Sequence, residues 1–137
     1  RGARHCGAAA IVAAAMVDHP AVERVDYPGL ATHAQHALAR KLFESGPAGT
    51  RYGAIVTITP KGGRAAGFAL ADALKVGQVA TSLGGVHTVV SHVASTTHRQ
   101  FDDAALAAAG IAPGAVRFSI GLEDPEDLIA DIHQALG

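Results

Sequence analysis

Residues 54–59 read Ala-Ile-Val-Thr-Ile-Thr and lie between Gly53 and Pro60. A short β-branched run that is bounded by glycine and proline predicts a β-strand. The Lys-Gly-Gly of residues 61–63 then indicates a turn, and apolar residues at helical spacing predict a helix over residues 64–74. The centre of the chain is therefore predicted to pass from a strand through a turn into a helix.

The same patterns predict alternating elements on both sides of this centre. Further strands are predicted at residues 22–27, 78–83 and 115–120. Further helices are predicted at residues 8–16, 33–43, 103–109 and 125–136. The apolar stripe of the first helix is formed by Ala8, Ile11, Val12, Ala15 and Met16. The candidate N-caps are Thr32, Asp102 and Asp124.

The remaining stretches are predicted to be loops. Residues 45–53 are rich in Gly and Pro, and residues 87–99 show no clean period. The predicted fold class is therefore α/β or α+β, with a small four-stranded sheet that is covered by helices on one face. The pattern leaves open whether the strands pair in parallel or antiparallel fashion.

The composition limits the classes of function. The 137 residues fit one domain, and a net charge of −1 gives no basic surface for nucleic acid. No apolar run reaches the roughly 18 residues that a membrane span requires. The single cysteine, Cys6, excludes an intramolecular disulfide and fits a reducing compartment such as the cytoplasm.

The histidines and glycines offer only weak sites. His33 and His36 are spaced for one helix face, but no further ligand stands at a companion spacing, so no metal site is predicted. The serines and histidines of residues 87–98 lack the strand-turn-helix motif that presents a nucleophile. The Gly62-Gly63 pair resembles a phosphate-binding turn only loosely, and a structural turn is the favoured interpretation.

Arg117 is the most informative single residue. It stands between Val116 and Phe118 in a predicted strand and therefore points away from the core face. At that position it is either a solvated sheet residue or an anion clamp, because a guanidinium group fits a carboxylate or a phosphate. Ser82 ends another predicted strand, where α/β proteins often bind ligands.

At these residues the chain resembles the Cys/Met-metabolism family of pyridoxal-phosphate enzymes. This family includes cystathionine γ-synthase and γ-lyase, methionine γ-lyase and the homoserine-ester sulfhydrylases. The resemblance covers almost the whole chain, in the correct order. Its most specific blocks are Ser-Leu-Gly-Gly at residues 82–85 and Val-Arg-Phe-Ser-Ile-Gly-Leu-Glu-Asp at residues 116–124.

The resemblance implies the small C-terminal domain of a fold-type I enzyme. Residues 1–20 would form a helix that connects from a large domain, and residues 21–137 would form the domain that closes over the substrate. The large domain, which lies outside this chain, would bind pyridoxal 5′-phosphate on a lysine. The whole enzyme would be a homotetramer that acts on sulfur amino acids or homoserine esters by γ-elimination or γ-replacement.

The resemblance also implies substrate-binding residues. Arg117 matches the arginine that binds the substrate α-carboxylate, and Ser82 matches a serine that lines the pocket, with Leu83 beside it. Thr81 stands where members with cystathionine activity usually carry Glu. This departure favours an activity like that of methionine γ-lyase or a sulfhydrylase.

The motifs that bind the cofactor have no match in this chain. Lys41, Lys61 and Lys75 are its only lysines, and none has the Ser-x-Thr-Lys context of the Schiff-base lysine. We therefore expect a piece of an enzyme that holds no catalytic residue and is inactive alone. The alternatives are a stand-alone amino-acid-binding regulatory module and a structural interaction domain, because a fold alone does not fix a function.

Overall fold

A computed structural model describes residues 2–43, 45–46, 49–79, 85–96 and 99–137. Its strands are β1 (Val22–Asp26), β2 (Ser45–Gly46), β3 (Gly49–Thr50), β4 (Ile55–Pro60), β5 (Gln78–Val79), β6 (Val89–His92) and β7 (Val116–Ser119). Its helices are α1 (Gly2–Met16), α2 (His36–Leu42), α3 (Gly63–Ala73), α4 (Asp103–Ala108) and α5 (Pro125–Leu136), with a 3₁₀ turn over Val93–Ser95.

The strands form one main sheet and one small hairpin. Across the described residues the main sheet has the order β1-β4-β7-β6-β5. Its first four strands are antiparallel, and the two-residue β5 pairs in parallel with the outer edge of β6. The mixed α/β class and the small sheet of four principal strands are thus confirmed, and the structure settles their pairing as antiparallel.

Three helices cover one face of this sheet. α1 packs on β1 and β4, α3 packs on β4, β6 and β7, and α5 packs against both helices. The buried cluster beneath them includes Val56, Ile58, Val90, Val116 and Phe118, which alternate along three adjacent strands. The residues between them, such as Thr57 and Arg117, therefore point to the opposite face. We call this opposite surface the open face.

Two stretches that were predicted as loop contain strands. β6 lies within residues 87–99, and the hairpin of β2 and β3 lies within residues 45–53. The prediction missed β6 because both of its C-terminal residues are polar and yet buried: Ser91 is 1% exposed and His92 is 3% exposed. Burial of polar side chains hides the apolar pattern that marks a strand. The predicted strand at residues 78–83 is described only as far as Val79, and its remainder lies outside the described residues.

Two of the three predicted helix caps are confirmed. The Asp102 side chain accepts a hydrogen bond from the N–H of Ala105 at 2.8 Å, and Asp124 accepts one from the N–H of Glu126 at 2.9 Å. The Thr32 prediction is wrong, because α2 begins at His36 and no side chain caps it. Residues 30–36 instead form consecutive turns closed by backbone hydrogen bonds.

The buried stripe of α1 also differs from the predicted one. Ile11 is 48% exposed, whereas Ala9, Ala13 and His5 are buried together with Ala8, Val12 and Met16. In a helix that is so rich in alanine, apolar residues occupy most faces, and the pattern cannot single out the buried one. No helix among the described residues is long and apolar enough to cross a membrane.

The Tyr-Pro-Gly-Leu block of residues 27–30 has a structural role. The buried Tyr27 hydroxyl donates a hydrogen bond to the carbonyl of Gly53 at 2.9 Å and so ties this turn to the entry of β4. Burial raises the pKa of Tyr27 to about 12, which keeps the hydroxyl protonated as a donor. A Cβ on Gly29 would lie 2.5 Å from the Tyr27 ring, so the turn requires glycine there.

Candidate functional site

Arg117 lies at the centre of the open face. It belongs to β7, the middle strand of the described sheet, and its cross-strand partners are Thr57 on β4 and Ser91 on β6. Cross-strand partners share a face, so all three side chains stand on the open face in one row. Asp26, opposite Thr57, extends the row to the edge strand β1. The predicted orientation of Arg117 is therefore observed.

A cavity of about 260 Å³ lies beside Arg117 on the open face. One side is formed by the polar strand residues, and the other by the apolar chain between α4 and β7. Its lining residues are Arg24, Asp26, Thr57, Thr59, Val93, Gly110, Ile111, Ala112, Ala115 and Arg117. Its volume lies just below the range of about 300–1,000 Å³ that is typical of ligand pockets, which suits a small ligand.

The charges of this cavity favour an anion. The Arg24 guanidinium contacts Asp26 Oδ1 through Nε at 2.9 Å and through Nη2 at 2.8 Å. This pair neutralises the only carboxylate among the described residues of the lining, whereas Arg117 adds a second guanidinium group. Two positive groups and one negative group leave a net charge of +1. A planar guanidinium group beside an apolar wall can bind a carboxylate through two parallel hydrogen bonds.

The other predicted site residues lie outside the described part of the chain. Thr81, Ser82 and Leu83 all fall within residues 80–84, which the structure does not describe. The segment that follows them is described and is anchored on both sides. The carbonyl of Gly85 lies 3.1 Å from His5 Nε2 of α1, and the N–H of Leu122 donates to the carbonyl of Val86 at 2.7 Å.

The two predicted pair members, His33 before α2 and His36 at its first residue, serve the local fold. His33 Nδ1 accepts a hydrogen bond from the N–H of Gln35 at 3.1 Å, and His36 Nδ1 lies 2.7 Å from the carbonyl of Pro28. In the described ranges no group of three or more His, Cys, Asp or Glu side chains could hold a metal ion.

The buried His92 contacts the half-buried Ser95. Its Nε2 donates to the carbonyl of Pro113 at 2.8 Å, so in the neutral ring Nδ1 accepts from the Ser95 hydroxyl at 2.8 Å. Burial lowers the pKa of His92 below its ordinary value of 6.5. The ring also stacks on Phe68 at 4.3 Å between centroids. Both ring nitrogens form hydrogen bonds within the fold. The contact therefore stabilises the chain at the end of β6 and does not provide a nucleophile.

The described residues do not fit a pyridoxal phosphate site. An aldehyde cofactor needs a lysine within a sheltered pocket and a cradle of donors for its phosphate. Lys41, Lys61 and Lys75 are all exposed. Lys75 lines a cavity, but its charged neighbours there are Glu123, Asp127 and Asp131, which repel a phosphate.

Sequence reasoning missed most of the residues around Arg117. Thr57, Ser91 and the ion pair of Arg24 and Asp26 come from three other strands, and only the strand register brings them together. No local spacing relates residues that are so far apart in the chain. The alternation of each strand gives the face of a residue, but not its cross-strand partner.

The sheet thus carries helices on one face and Arg117, beside a cavity, at the centre of the other. The family model described as "Cys/Met metabolism PLP-dependent enzyme" matches residues 1–137. The chain belongs to this family.

Individual relatives agree with this assignment. The chain is 43% identical over 133 residues to an L-methionine gamma-lyase of Fusobacterium nucleatum, covering 97% of this chain and 32% of that protein. It is 38% identical to the O-acetyl-L-homoserine sulfhydrylase of Leptospira meyeri, covering 97% and 29%. The cystathionine gamma synthase of Xanthomonas oryzae, solved with aminoacrylate and cysteine, matches 99% of this chain and 34% of its own with a TM-score of 0.85 and 40% identity. The chain thus spans about a third of the length of these relatives.

Proposed function

We propose that this chain is the C-terminal, substrate-closing domain of a pyridoxal-phosphate enzyme of trans-sulfuration. The reaction would be γ-elimination from a sulfur amino acid or γ-replacement on a homoserine ester. Relatives with both kinds of printed activity, a methionine gamma-lyase and a homoserine-ester sulfhydrylase, support this range. Thr81, in place of a glutamate, favours these two activities over a cystathionine-specific one.

Arg117 is the residue that carries the proposal. It stands at the centre of the open face beside a cavity whose lining has an excess of positive charge. An α-carboxylate that forms two hydrogen bonds with the guanidinium group would be held at a defined distance and orientation. Because Arg117 stands on a strand in the middle of a sheet, its backbone is rigid, and this rigidity helps to align the substrate bond that breaks.

The cofactor would be held by a large domain outside this chain. When bound there, it would withdraw electrons from the substrate and so promote cleavage at the γ-carbon. Arg117 would bind and orient the carboxylate, and Ser82, Leu83 and Thr81 would line the rest of the pocket. Residues 1–20 would connect the two domains. Alone, this chain would be inactive. The assembled protein would be a cytoplasmic homotetramer.

The test compares arginine variants in the protein expressed from the complete coding sequence and loaded with pyridoxal phosphate. Thiol release from methionine and sulfide consumption with O-acetylhomoserine measure the two reactions. Truncating one partner of a shielded charge pair costs roughly 2–5 kcal/mol, so Arg117→Ala should lower kcat/KM by on the order of 100-fold or more. Arg117→Lys should recover only part of this, because an ammonium group lacks the planar fork.

Arg64→Ala is the matched control. Arg64 forms an exposed ion pair with Asp103 at 3.1 Å and does not line the Arg117 cavity. Such pairs contribute little, so kcat/KM should stay within about twofold of the parent value. Equal activity of the Arg117→Ala and parent proteins would refute the carboxylate role. Amino-acid binding by the 137-residue chain without any turnover of the complete protein would favour a regulatory module instead.

A further inference from the structure

Thr57 places a hydroxyl group in the cavity beside Arg117. It stands on β4 as the direct cross-strand partner of Arg117, and both residues line this cavity of about 260 Å³. Thr57 is partly buried, so its side chain is supported by the fold and still open to the cavity. A ligand that enters the cavity and reaches Arg117 therefore has Thr57 as a neighbour.

The Thr57 hydroxyl is available to such a ligand. The side chain forms no hydrogen bond to any other described residue. Water that enters the cavity can satisfy the hydroxyl in the free protein, and a ligand oxygen can take the place of that water. The branched Cβ of threonine restricts its χ1 angle, so little rotamer freedom is lost when the hydroxyl binds a ligand.

The dimensions of the cavity bring both side chains to one small ligand. A sphere with the volume of this cavity is about 8 Å across. The Cβ atoms of a direct cross-strand pair are separated by about 4.5–5.5 Å. A guanidinium group on one strand and a hydroxyl on the other can therefore contact the same carboxylate.

The other polar side chains of the cavity are less suited to this contact. Arg24 and Asp26 bind each other at 2.8–2.9 Å, and the carboxylate of Asp26 repels an anion. Thr59 stands two residues further along β4, where its partner on β1 is Arg24. Among the described lining residues, Thr57 alone combines a neutral donor with a position directly opposite Arg117.

We propose that the Thr57 hydroxyl donates a hydrogen bond to the substrate α-carboxylate that Arg117 holds. This inference rests on the proposed function and adds to it a second binding residue from another strand. A carboxylate accepts about four hydrogen bonds, and a bidentate guanidinium group uses two of them. Those two bonds leave the carboxylate free to tilt about the edge of the guanidinium group. A third donor from β4 removes this freedom.

The kinetic test uses the complete protein loaded with pyridoxal phosphate, with methionine or O-acetylhomoserine as substrate. Thr57→Val keeps the shape of the side chain and removes the hydroxyl. Loss of a hydrogen bond to a charged group should lower kcat/KM by on the order of 10- to 100-fold, mainly through KM. Thr57→Ser keeps the hydroxyl and should retain most of the parent value.

Thr50→Val is the matched control, because it makes the same substitution outside the cavity. The Thr50 hydroxyl contacts Ser45 Oγ at 3.2 Å in the exposed β2–β3 hairpin. Its kcat/KM should stay within about twofold of the parent value. Because the Thr57 hydroxyl bonds to no other described residue, Thr57→Val should also leave the Tm of the complete protein unchanged or slightly higher.

Two further measurements distinguish a carboxylate contact from a structural role. The first is the inhibition constant of 3-(methylthio)propylamine, a methionine analogue without a carboxylate, which Thr57→Val should leave unchanged. The second is a double-mutant cycle with Arg117→Ala. If both residues bind one carboxylate, Thr57→Val should cost no more than about twofold in the Arg117→Ala background.

The outcomes separate this inference from the proposed function. If Arg117→Ala leaves kcat/KM unchanged, the proposed function fails, and the role of Thr57 fails with it. If Arg117→Ala lowers kcat/KM but Thr57→Val does not, only the role of Thr57 is overturned. That role is also overturned if the loss is equally large with the carboxylate-free analogue, if it persists in full in the Arg117→Ala background, or if it accompanies a fall in Tm.

Discussion

Glu123 accepts two hydrogen bonds from the single residue Thr88. The backbone N–H of Thr88 donates to Oε2 and its hydroxyl donates to Oε1, each at 2.8 Å. The same hydroxyl accepts a hydrogen bond from the N–H of Gly121 at 2.9 Å. Thr88 is fully buried, and this contact joins the chain before β6 to the chain after β7. The strand that carries Arg117 is thereby fixed to the segment that begins with Gly85.

Thr88→Val is a small change in shape, but it should destabilise the chain strongly. Valine has nearly the shape of threonine, but it leaves the Gly121 N–H and one oxygen of the Glu123 carboxylate without their partner. We expect a loss of about 2–3 kcal/mol in the free energy of unfolding, measured by urea denaturation. Thr88→Ser should recover most of it.

The control for this prediction is Thr50→Val. The Thr50 hydroxyl contacts Ser45 Oγ at 3.2 Å in the exposed β2–β3 hairpin, where water can replace the lost bond. Its change should stay below about 0.5 kcal/mol. If Thr88→Val and Thr50→Val have the same effect, the buried contact does not stabilise the fold.

Two helical glycines should respond to alanine with opposite signs. A Cβ on Gly67 of α3 would lie 2.5 Å from the carbonyl oxygen of Gly114 and 2.8 Å from the His92 ring. A Cβ on Gly7 of α1 would meet nothing within 4 Å. Because alanine favours a helix by about 1 kcal/mol over glycine, Gly7→Ala should raise the Tm.

Gly67→Ala should instead lower the Tm, because α3 must move away from the Gly114 loop to admit the methyl group. The expected loss is about 1–3 kcal/mol, as for other overpacked sites. Thermal unfolding followed by circular dichroism measures both variants. A higher Tm for Gly67→Ala would show that α3 is not held against this loop as the structure has it.

Asp131 should make the chain sensitive to acid. Its buried carboxylate accepts hydrogen bonds from the backbone N–H groups of Lys75, Val76 and Gly77 at 2.7–3.2 Å. Burial acts to raise the pKa of Asp131, but these bonds and one from Gln134 outweigh it and leave the pKa below its usual 3.8. The folded state therefore binds this proton less readily than the unfolded chain.

The sign of the pH effect follows from linkage. A lowered pKa in the folded state stabilises the chain above about pH 4, and that stabilisation is lost as the pH falls through the folded pKa. Asp131→Asn keeps the side-chain shape but removes the charge. It should lower stability at pH 7 by about 2 kcal/mol and flatten the decline in stability below pH 4. Urea titrations between pH 2.5 and 7 compare the two proteins, and equal slopes would contradict the prediction.

The sequence predicted the elements that have strong local signals. The sequence predicted β4, the cap at Asp124 and the orientation of Arg117, because each depends on only a few neighbouring residues. It did not predict β6, because tertiary contacts bury Ser91 and His92, and the local hydrophobic pattern does not show this burial. The cavity beside Arg117 was likewise hidden, because Arg24, Thr57 and Ala115 meet only through sheet register.

The family resemblance indicates the class of cofactor, which neither the sequence pattern nor the geometry of the structure contains. The geometry alone shows Arg117 beside a cavity whose charges favour an anion, and it does not specify the ligand. The family match over residues 1–137 narrows the cofactor class, while Ser82 and Thr81 stay predictions because they lie outside the described residues. The geometry around Arg117 therefore supports the anion site, and the family match supports the class of cofactor. An experiment can refute either part of the proposal separately.

Cofactor capture tests whether pyridoxal phosphate is bound by this chain or by the proposed large domain outside it. The 137-residue chain is mixed with pyridoxal phosphate and reduced with borohydride, and any adduct is located by mass spectrometry. We expect only slow, non-stoichiometric labelling spread over Lys41, Lys61 and Lys75, because all three are exposed and none lies in a phosphate cradle. The control is the complete protein under the same conditions, which should take up one equivalent on a lysine outside this chain. A stoichiometric adduct on one lysine of the isolated chain would show that these residues form a complete cofactor site, and the assignment of the cofactor to a large domain would then be wrong.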